Sequence, residues 1–146
     1  MKAENGRLYS GECYSILLQL VRAAEIRIGR LGRHCFPEGY YLYTGRAKSG
    51  IAARIRRHRR KKKRRHWHID YLTAHPDAVF QAFRIYPLPA ERECEIHKSC
   101  SRLPGALLMI PGFGASDCRS RCGSHLLYFE NRPDFPPRDV TFPVLP

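Results

Sequence analysis

The first block of apolar positions is the dense run Cys13 to Val21 (CYSILLQLV), which follows Gly11 and predicts a buried central strand. Ile26 and Ile28 then alternate with Glu25 and Arg27, the period of two expected of a half-exposed strand. Gly29, Gly32 and Pro37-Glu38-Gly39 punctuate the return to a third strand, Tyr40 to Thr44, with Tyr41 and Tyr43 on one face and Tyr40 and Leu42 on the other. These three segments predict a three-stranded antiparallel unit. A glycine-bounded turn, Gly45 to Gly50, leads from it into a helix that begins near Ile51 and becomes very basic.

Beyond that helix, His66 to Thr73 (HWHIDYLT) reads as the start of a second one, with His75-Pro76-Asp77 as a turn. Ala78 to Tyr86 alternates as a further strand that Pro87 and Pro89 end. Glu91 to Leu103 opens with acids, as the helix dipole prefers, and stops before Pro104-Gly105. Gly112-Phe113-Gly114 predicts a tight loop and Leu126 to Phe129 a short last strand. The fold class is therefore α+β, a small and mainly antiparallel sheet flanked by helices. Residues 1–10 read as a polar, frayed N-terminus, 11–130 as one domain and 131–146 as a proline-rich tail.

Charge changes this picture in one place. From Arg54 to Arg65 there are ten basic residues in twelve and no acid. Taking ten from the 26 lysines and arginines leaves 16 against 13 acids, so the remainder is nearly balanced and one segment holds most of the +13 net charge. A polyanion is the partner this implies: DNA, with RNA as the alternative. Arg46, Lys48, Arg56, Arg57, Arg59, Arg60, Lys61, Lys62, Lys63, Arg64, Arg65, His66 and His68 are the candidate contacts, the two histidines bonding phosphate or structure rather than metal. A solvated face or a targeting tract is the plainer reading of such a run.

Six cysteines raise the question of a disulfide framework. A chain of 146 residues builds a core without such staples, and the apolar run Ile16 to Val21 is broken by Gln19 and too short for a leader's apolar region or a membrane span. Reduced thiols in a cytoplasmic protein with no membrane partner are the expectation.

The ordered set Gly11-x-Cys13, Tyr43-Thr44-Gly45, then Arg54 and His58 four residues apart on one helical face resembles the GIY-YIG nuclease domain. Within that superfamily it is most similar to a compact branch of unsettled function. Phe36 to Gly45 (FPEGYYLYTG), His66 to Leu72 (HWHIDYL), Glu93 to Glu95 (ECE), and Gly112 to Cys118 with Ser124-His125 carry that likeness, which covers about residues 11 to 130. The resemblance implies a divalent-metal-dependent endonuclease. Tyr43 would lie against the attacking water, Arg54 would contact the scissile phosphate and His58 would assist proton transfer. A later helical glutamate, best matched by Glu95 with Glu91 and Glu93 close by, would bind one Mg²⁺ or Mn²⁺.

The chemistry asks for these types independently of the family. A guanidinium matches phosphate bidentately and keeps its proton, and a carboxylate with open water positions suits Mg²⁺. Tyr43 is a base only if neighbouring cations favour its phenolate. Cys13 stands where the family has tyrosine, although Tyr14 follows and Tyr41 is a neighbouring hydroxyl; that departure predicts a weakened network around the water and slow or absent catalysis. A catalytically weak nucleic-acid-binding module is therefore the alternative function.

Cys118-x3-Cys122-x2-His125 is the remaining constellation, with Asp117 adjacent and Cys94 or Cys100 available as a fourth ligand for a structural Zn²⁺. The preferred reading is a loop that closes on the nuclease face, with Ser116, Asp117 and His125 hydrogen-bonding or reaching substrate. A zinc-stabilised interaction protein is the lesser alternative.

Overall fold

The structure, a computed structural model, describes residues 11–115, 118 and 120–135. The expected frayed N-terminus, the roles given to Ser116 and Asp117, and the tail from residue 136 onward lie outside those residues. Strands β1 (Cys13–Leu20), β4 (Gly39–Arg46), β5 (Ala78–Tyr86), β6 (Leu107–Leu108) and β7 (Leu126–Phe129) form one antiparallel sheet in the order β5-β1-β4-β7-β6. Strands β2 (Ala24–Arg27) and β3 (Arg33–Phe36) pair in a separate hairpin. The helices are α1 (Ile51–Arg59), α2 (His68–Thr73) and α3 (Glu93–Cys100), the last preceded by a 3-10 turn, Ala90–Arg92. The α+β class read from the sequence is the class observed. No helix among the described residues is long and apolar enough to cross a membrane.

Strand β1 is central, as its apolar run implied, because β4 and β5 bond both its edges. This overturns the three-stranded unit: with both edges taken, the Ile26 segment has no place beside β1 and pairs with β3 instead, a strand absent from the sequence expectation. The pleat sorts β1 between two cores. Tyr14, Ile16, Leu18 and Leu20 pack with Tyr41 and Tyr43 against Ile51 and Ile55 of α1 and Ile69 and Leu72 of α2. Cys13 and Leu17 pack on the opposite face with Leu42, Tyr86, Ile96 and Cys100 of α3, and with Phe135.

Helix α1 ends at Arg59, earlier than its basic continuation suggested. Arg60 is extended (φ −78°, ψ 135°), and the following cations turn back over the fold. A buried carboxylate organises that turn. Asp70, with no side-chain exposure, accepts a hydrogen bond from Arg57 Nη1 at 2.6 Å and from the backbone N–H groups of His66 and Trp67, each at 2.8 Å. Burial alone would raise its pKa, but the Arg57 hydrogen bond and those two N–H groups outweigh it and hold the carboxyl below its ordinary value.

The sign of the linkage follows. A depressed folded pKa contributes stability that is present above the unfolded value of about 3.9 and is lost as pH falls through the folded one. Asp70→Asn should cost about 3 kcal/mol, the low end for breaking a buried pair because Arg57 keeps some solvent contact. Urea denaturation at neutral pH checks this, and the difference between variant and wild type should shrink in acid.

Candidate functional site

In the β1–β4 ladder Tyr14 is opposite Gly45 and Ile16 opposite Tyr43, so both tyrosines project from the same face near the same end of the sheet, their ring centroids 6.3 Å apart. They border a cavity of about 280 Å³. Gly45 permits the approach: a Cβ there would lie 2.7 Å from the Tyr14 hydroxyl and 2.9 Å from the Tyr43 ring. Gly114 (φ 63°) closes the opposite wall, where a Cβ would come within 2.8 Å of the Tyr43 ring. Cys13 points to the other face and bonds the Pro89 carbonyl. The phenol beside Tyr43 at the cavity is therefore that of Tyr14, because alternate residues of β1 face opposite sides of the sheet.

Helix α1 brings Arg54 and His58 to this place, as their spacing predicts. His58 is 1% exposed and its Nε2 shares a 2.7 Å hydrogen bond with the Tyr14 hydroxyl. Burial, followed by the charge of Lys63, pushes its pKa down to about 3, so the imidazole is neutral. Arg54 stacks on Trp67 with its guanidinium carbon 4.2 Å from the ring centroid, and its Nη1 donates to the Arg46 carbonyl at 3.0 Å. The phenolate that Tyr43 would need to act as a base is not favoured. Burial raises its pKa well above the ordinary phenol value, Tyr14 and Glu93 add to the rise, and the Arg54 charge offsets only part. Tyr14 is raised in the same way, chiefly by burial.

The carboxylate at the cavity is Glu93, which corrects the assignment to Glu95. The inward face of α3 is Glu93, Ile96, His97 and Cys100, the i, i+3, i+4, i+7 stripe of a packed helix. Glu95 is two residues from Glu93, hence on the outer side, where its half-exposed carboxylate pairs with Arg92. Glu91 is exposed as well. Ile96 and Cys100 could have located that stripe in the sequence. Glu93 lines the cavity with Arg46 Nε at 3.8 Å and His125 Nδ1 at 3.4 Å.

The basic segment divides into braces and free cations. Arg57 holds Asp70; Lys61 Nζ bonds the carbonyls of Thr73, His75 and Ala78; Lys63 Nζ bonds the carbonyls of Arg57 and His58 and the Thr73 hydroxyl. Arg59 lies over Phe80 and Phe83. Arg57, Lys61 and Lys63, placed by the sequence among the nucleic-acid contacts, brace the fold through these bonds. Arg46, Lys48, Arg56, Arg60, Lys62, Arg64 and Arg65 remain exposed. His66 and His68 border the cavity, and His68 Nδ1 accepts the Gly114 N–H at 2.9 Å, the structural bond foreseen for it.

Beside Glu93 lies a set of four possible metal ligands. Cys94, Cys118, Cys122 and His125 bring their donor atoms within 4.8 Å of one another, an arrangement able to hold a metal ion. Of the two cysteines offered as a fourth ligand, Cys94 joins the cluster, whereas Cys100 is buried in the opposite core. Burial opposes ionisation of Cys118, yet hydrogen bonds from the Cys122 backbone and from the Cys94, Cys122 and His125 side chains pull its pKa down to about 6.

The packing around Gly45 yields a direct check. Gly45→Ala should force Tyr14 and Tyr43 apart and cost about 1 to 3 kcal/mol, the usual range for overfilling a packed site. Thermal unfolding measures the loss, while Ala substituted at exposed Lys48 should leave stability within about 0.5 kcal/mol.

Among known proteins, no curated protein and no solved structure matches the chain. One family model does, over residues 13–139, which takes in the sheet, the three helices and every residue of the cavity and the thiol cluster named above. The protein belongs to the family described as Domain of unknown function DUF123.

Proposed function

We propose that the cavity is a phosphodiester-hydrolysing site and that the protein is a divalent-metal-dependent endonuclease acting on DNA, of the GIY-YIG type its motifs resemble. One observation carries this reading: two phenols, a guanidinium and a carboxylate meet on the wall of a single cavity beside a segment of exposed cations. Hydrolysing a phosphodiester requires a held water, charge stabilisation at the phosphoryl oxygens and a route for the proton.

Arg54 supplies the second of these. Stacked on Trp67, its planar fork is oriented before substrate arrives and loses little freedom on engaging two phosphate oxygens. Tyr43, kept neutral by burial, orients the water through its hydroxyl rather than ionising. The Tyr14–His58 hydrogen bond offers the proton a path inward. A phosphate entering the cavity places a negative charge near His58, which raises the proton affinity that burial depresses and so prepares the imidazole to accept.

Glu93 is the group that would hold Mg²⁺ or Mn²⁺: a single hard carboxylate on the wall of a cavity open to water suits ions that keep most of their water shell. When bound, such an ion supplies Lewis-acid polarisation of a phosphoryl oxygen. The thiolates of Cys94, Cys118 and Cys122 are soft donors that favour zinc and serve Mg²⁺ poorly. The exposed cations from Arg46 to Arg65 guide the strand by its phosphates without reading its sequence.

The test is a cleavage screen of single-stranded, duplex and branched DNA with Mg²⁺ or Mn²⁺. Arg54→Ala and Glu93→Gln should each lower the rate by about 10² to 10³, the scale of losing one electrostatic contact to the transition state, with thermal midpoints confirming that they fold. Glu95→Gln should stay within about twofold of wild type because its carboxylate faces solvent. If all three DNA forms survive, the nuclease reading fails. Retained binding that weakens with salt, by a log-log slope of about 0.9 per neutralised phosphate, then assigns a binding module instead.

A further inference from the structure

We propose that Cys94, Cys118, Cys122 and His125 bind one zinc ion as a structural centre that fixes the wall of the cavity carrying Glu93. Around a tetrahedral zinc, with Zn–S near 2.3 Å and Zn–N near 2.0 Å, two sulfurs lie about 3.8 Å apart and a sulfur and a nitrogen about 3.5 Å apart. Cys94 Sγ is 3.4 Å from Cys118 Sγ and 3.7 Å from His125 Nε2. The two sulfurs are too far apart for a disulfide, whose bond is about 2.05 Å. The S···S and S···N separations are within about 0.4 Å of those a shared zinc would set.

Three further features support the assignment. The donors are three thiols and one imidazole, a set that selects zinc and, having four protein ligands, closes the coordination shell as structural sites do. His125 is already oriented: its ring is 1% exposed, Nε2 faces Cys94, and Nδ1 faces the Glu93 carboxylate at 3.4 Å. A metal-binding histidine ordinarily turns its other nitrogen to such a carboxylate. Finally, backbone hydrogen bonds tie the ligand-bearing residues to the fold, from Cys118 N–H to Ala115, Gly112 N–H to Gly123 and His125 N–H to Phe113.

The position of the centre gives it a task. Cys94 follows Glu93 in the first turn of α3, while Cys118 and His125 belong to the segment that also presents Gly114 to Tyr43. An ion bridging them joins two parts of the chain that between them supply the acid and one wall of the cavity. Only this positional role rests on the phosphodiesterase reading; the zinc site stands on the four ligands.

The test uses the full chain, purified under reducing conditions without chelator. Elemental analysis should find one equivalent of zinc, and Co²⁺ exchanged for it should show the intense d–d and thiolate charge-transfer bands of tetrahedral sulfur coordination. Removing zinc with a chelator should lower the thermal midpoint, and adding zinc back should restore it. Cys118→Ser and Cys122→Ser should lose the stoichiometric zinc, whereas Cys35→Ser and Cys100→Ser should retain it. The cobalt spectrum is read on wild-type protein, so it decides even if a serine variant fails to fold. Absence of zinc after reconstitution, iron in its place, a Cys94–Cys118 disulfide, or an unchanged midpoint on chelation would each overturn the proposal. None of these readouts depends on cleavage. Zinc-replete protein that leaves DNA intact refutes the nuclease alone, and zinc-free protein that cuts DNA refutes the zinc centre alone.

Discussion

The carboxylate of Asp70 is the interaction on which the arrangement of the site depends. Fully buried, it needs partners for its charge, and it finds them in the Arg57 guanidinium and the N–H groups of His66 and Trp67. Those bonds do more than satisfy an acid. They fold the chain back after α1, cap the start of α2 and set Trp67 beneath Arg54 and Arg57, whose guanidinium carbons lie 4.2 and 4.5 Å from its ring centroid. A segment with ten cations would repel itself if left extended. A single buried acid, together with the carbonyl oxygens that take the ammonium groups of Lys61 and Lys63, converts part of that repulsion into a defined turn.

The second constraint is the register of β1 against β4. Side chains alternate across a strand, so a slip of one residue would send Tyr14 to the far face and bring Cys13 to the cavity. As paired, the strands place two phenols on either side of Gly45, with His58 rising from α1 to meet one of them. Burial then keeps all three groups uncharged, which makes the fixed charges of Arg54, Arg46 and Glu93 the electrostatic landmarks of the cavity. A neutral pair of phenols flanked by a guanidinium is a setting in which an entering anion meets little competing charge.

Hard and soft donors are separated over a short distance. Glu93 and Cys94 are consecutive, yet one carries oxygen to the cavity and the other carries sulfur to the thiol cluster, because successive helical side chains point about 100° apart. His125 lies between them, with one nitrogen toward each. Any change at this point of α3 is therefore felt in both places.

Much of the framework was legible from local pattern. The apolar run of β1 marked a central strand, Ala78 to Tyr86 read correctly as β5, and Arg54 with His58 fell on one helical face because 3.6 residues make a turn. What the one-dimensional pattern left undecided was choice among near neighbours. Whether Cys13 or Tyr14, Glu93 or Glu95, Cys94 or Cys100 faces a site depends on which side of a strand or helix is packed against another element. Likewise the basic residues of α1 and its continuation are alike in sequence, and only the placement of Asp70, of five backbone carbonyls and of the Thr73 hydroxyl made Arg57, Lys61 and Lys63 structural. Local pattern set most of the elements, β3 and β6 excepted, and the stock of reactive groups; tertiary packing decided which groups converge, since convergence is a property of faces brought together from distant parts of the chain.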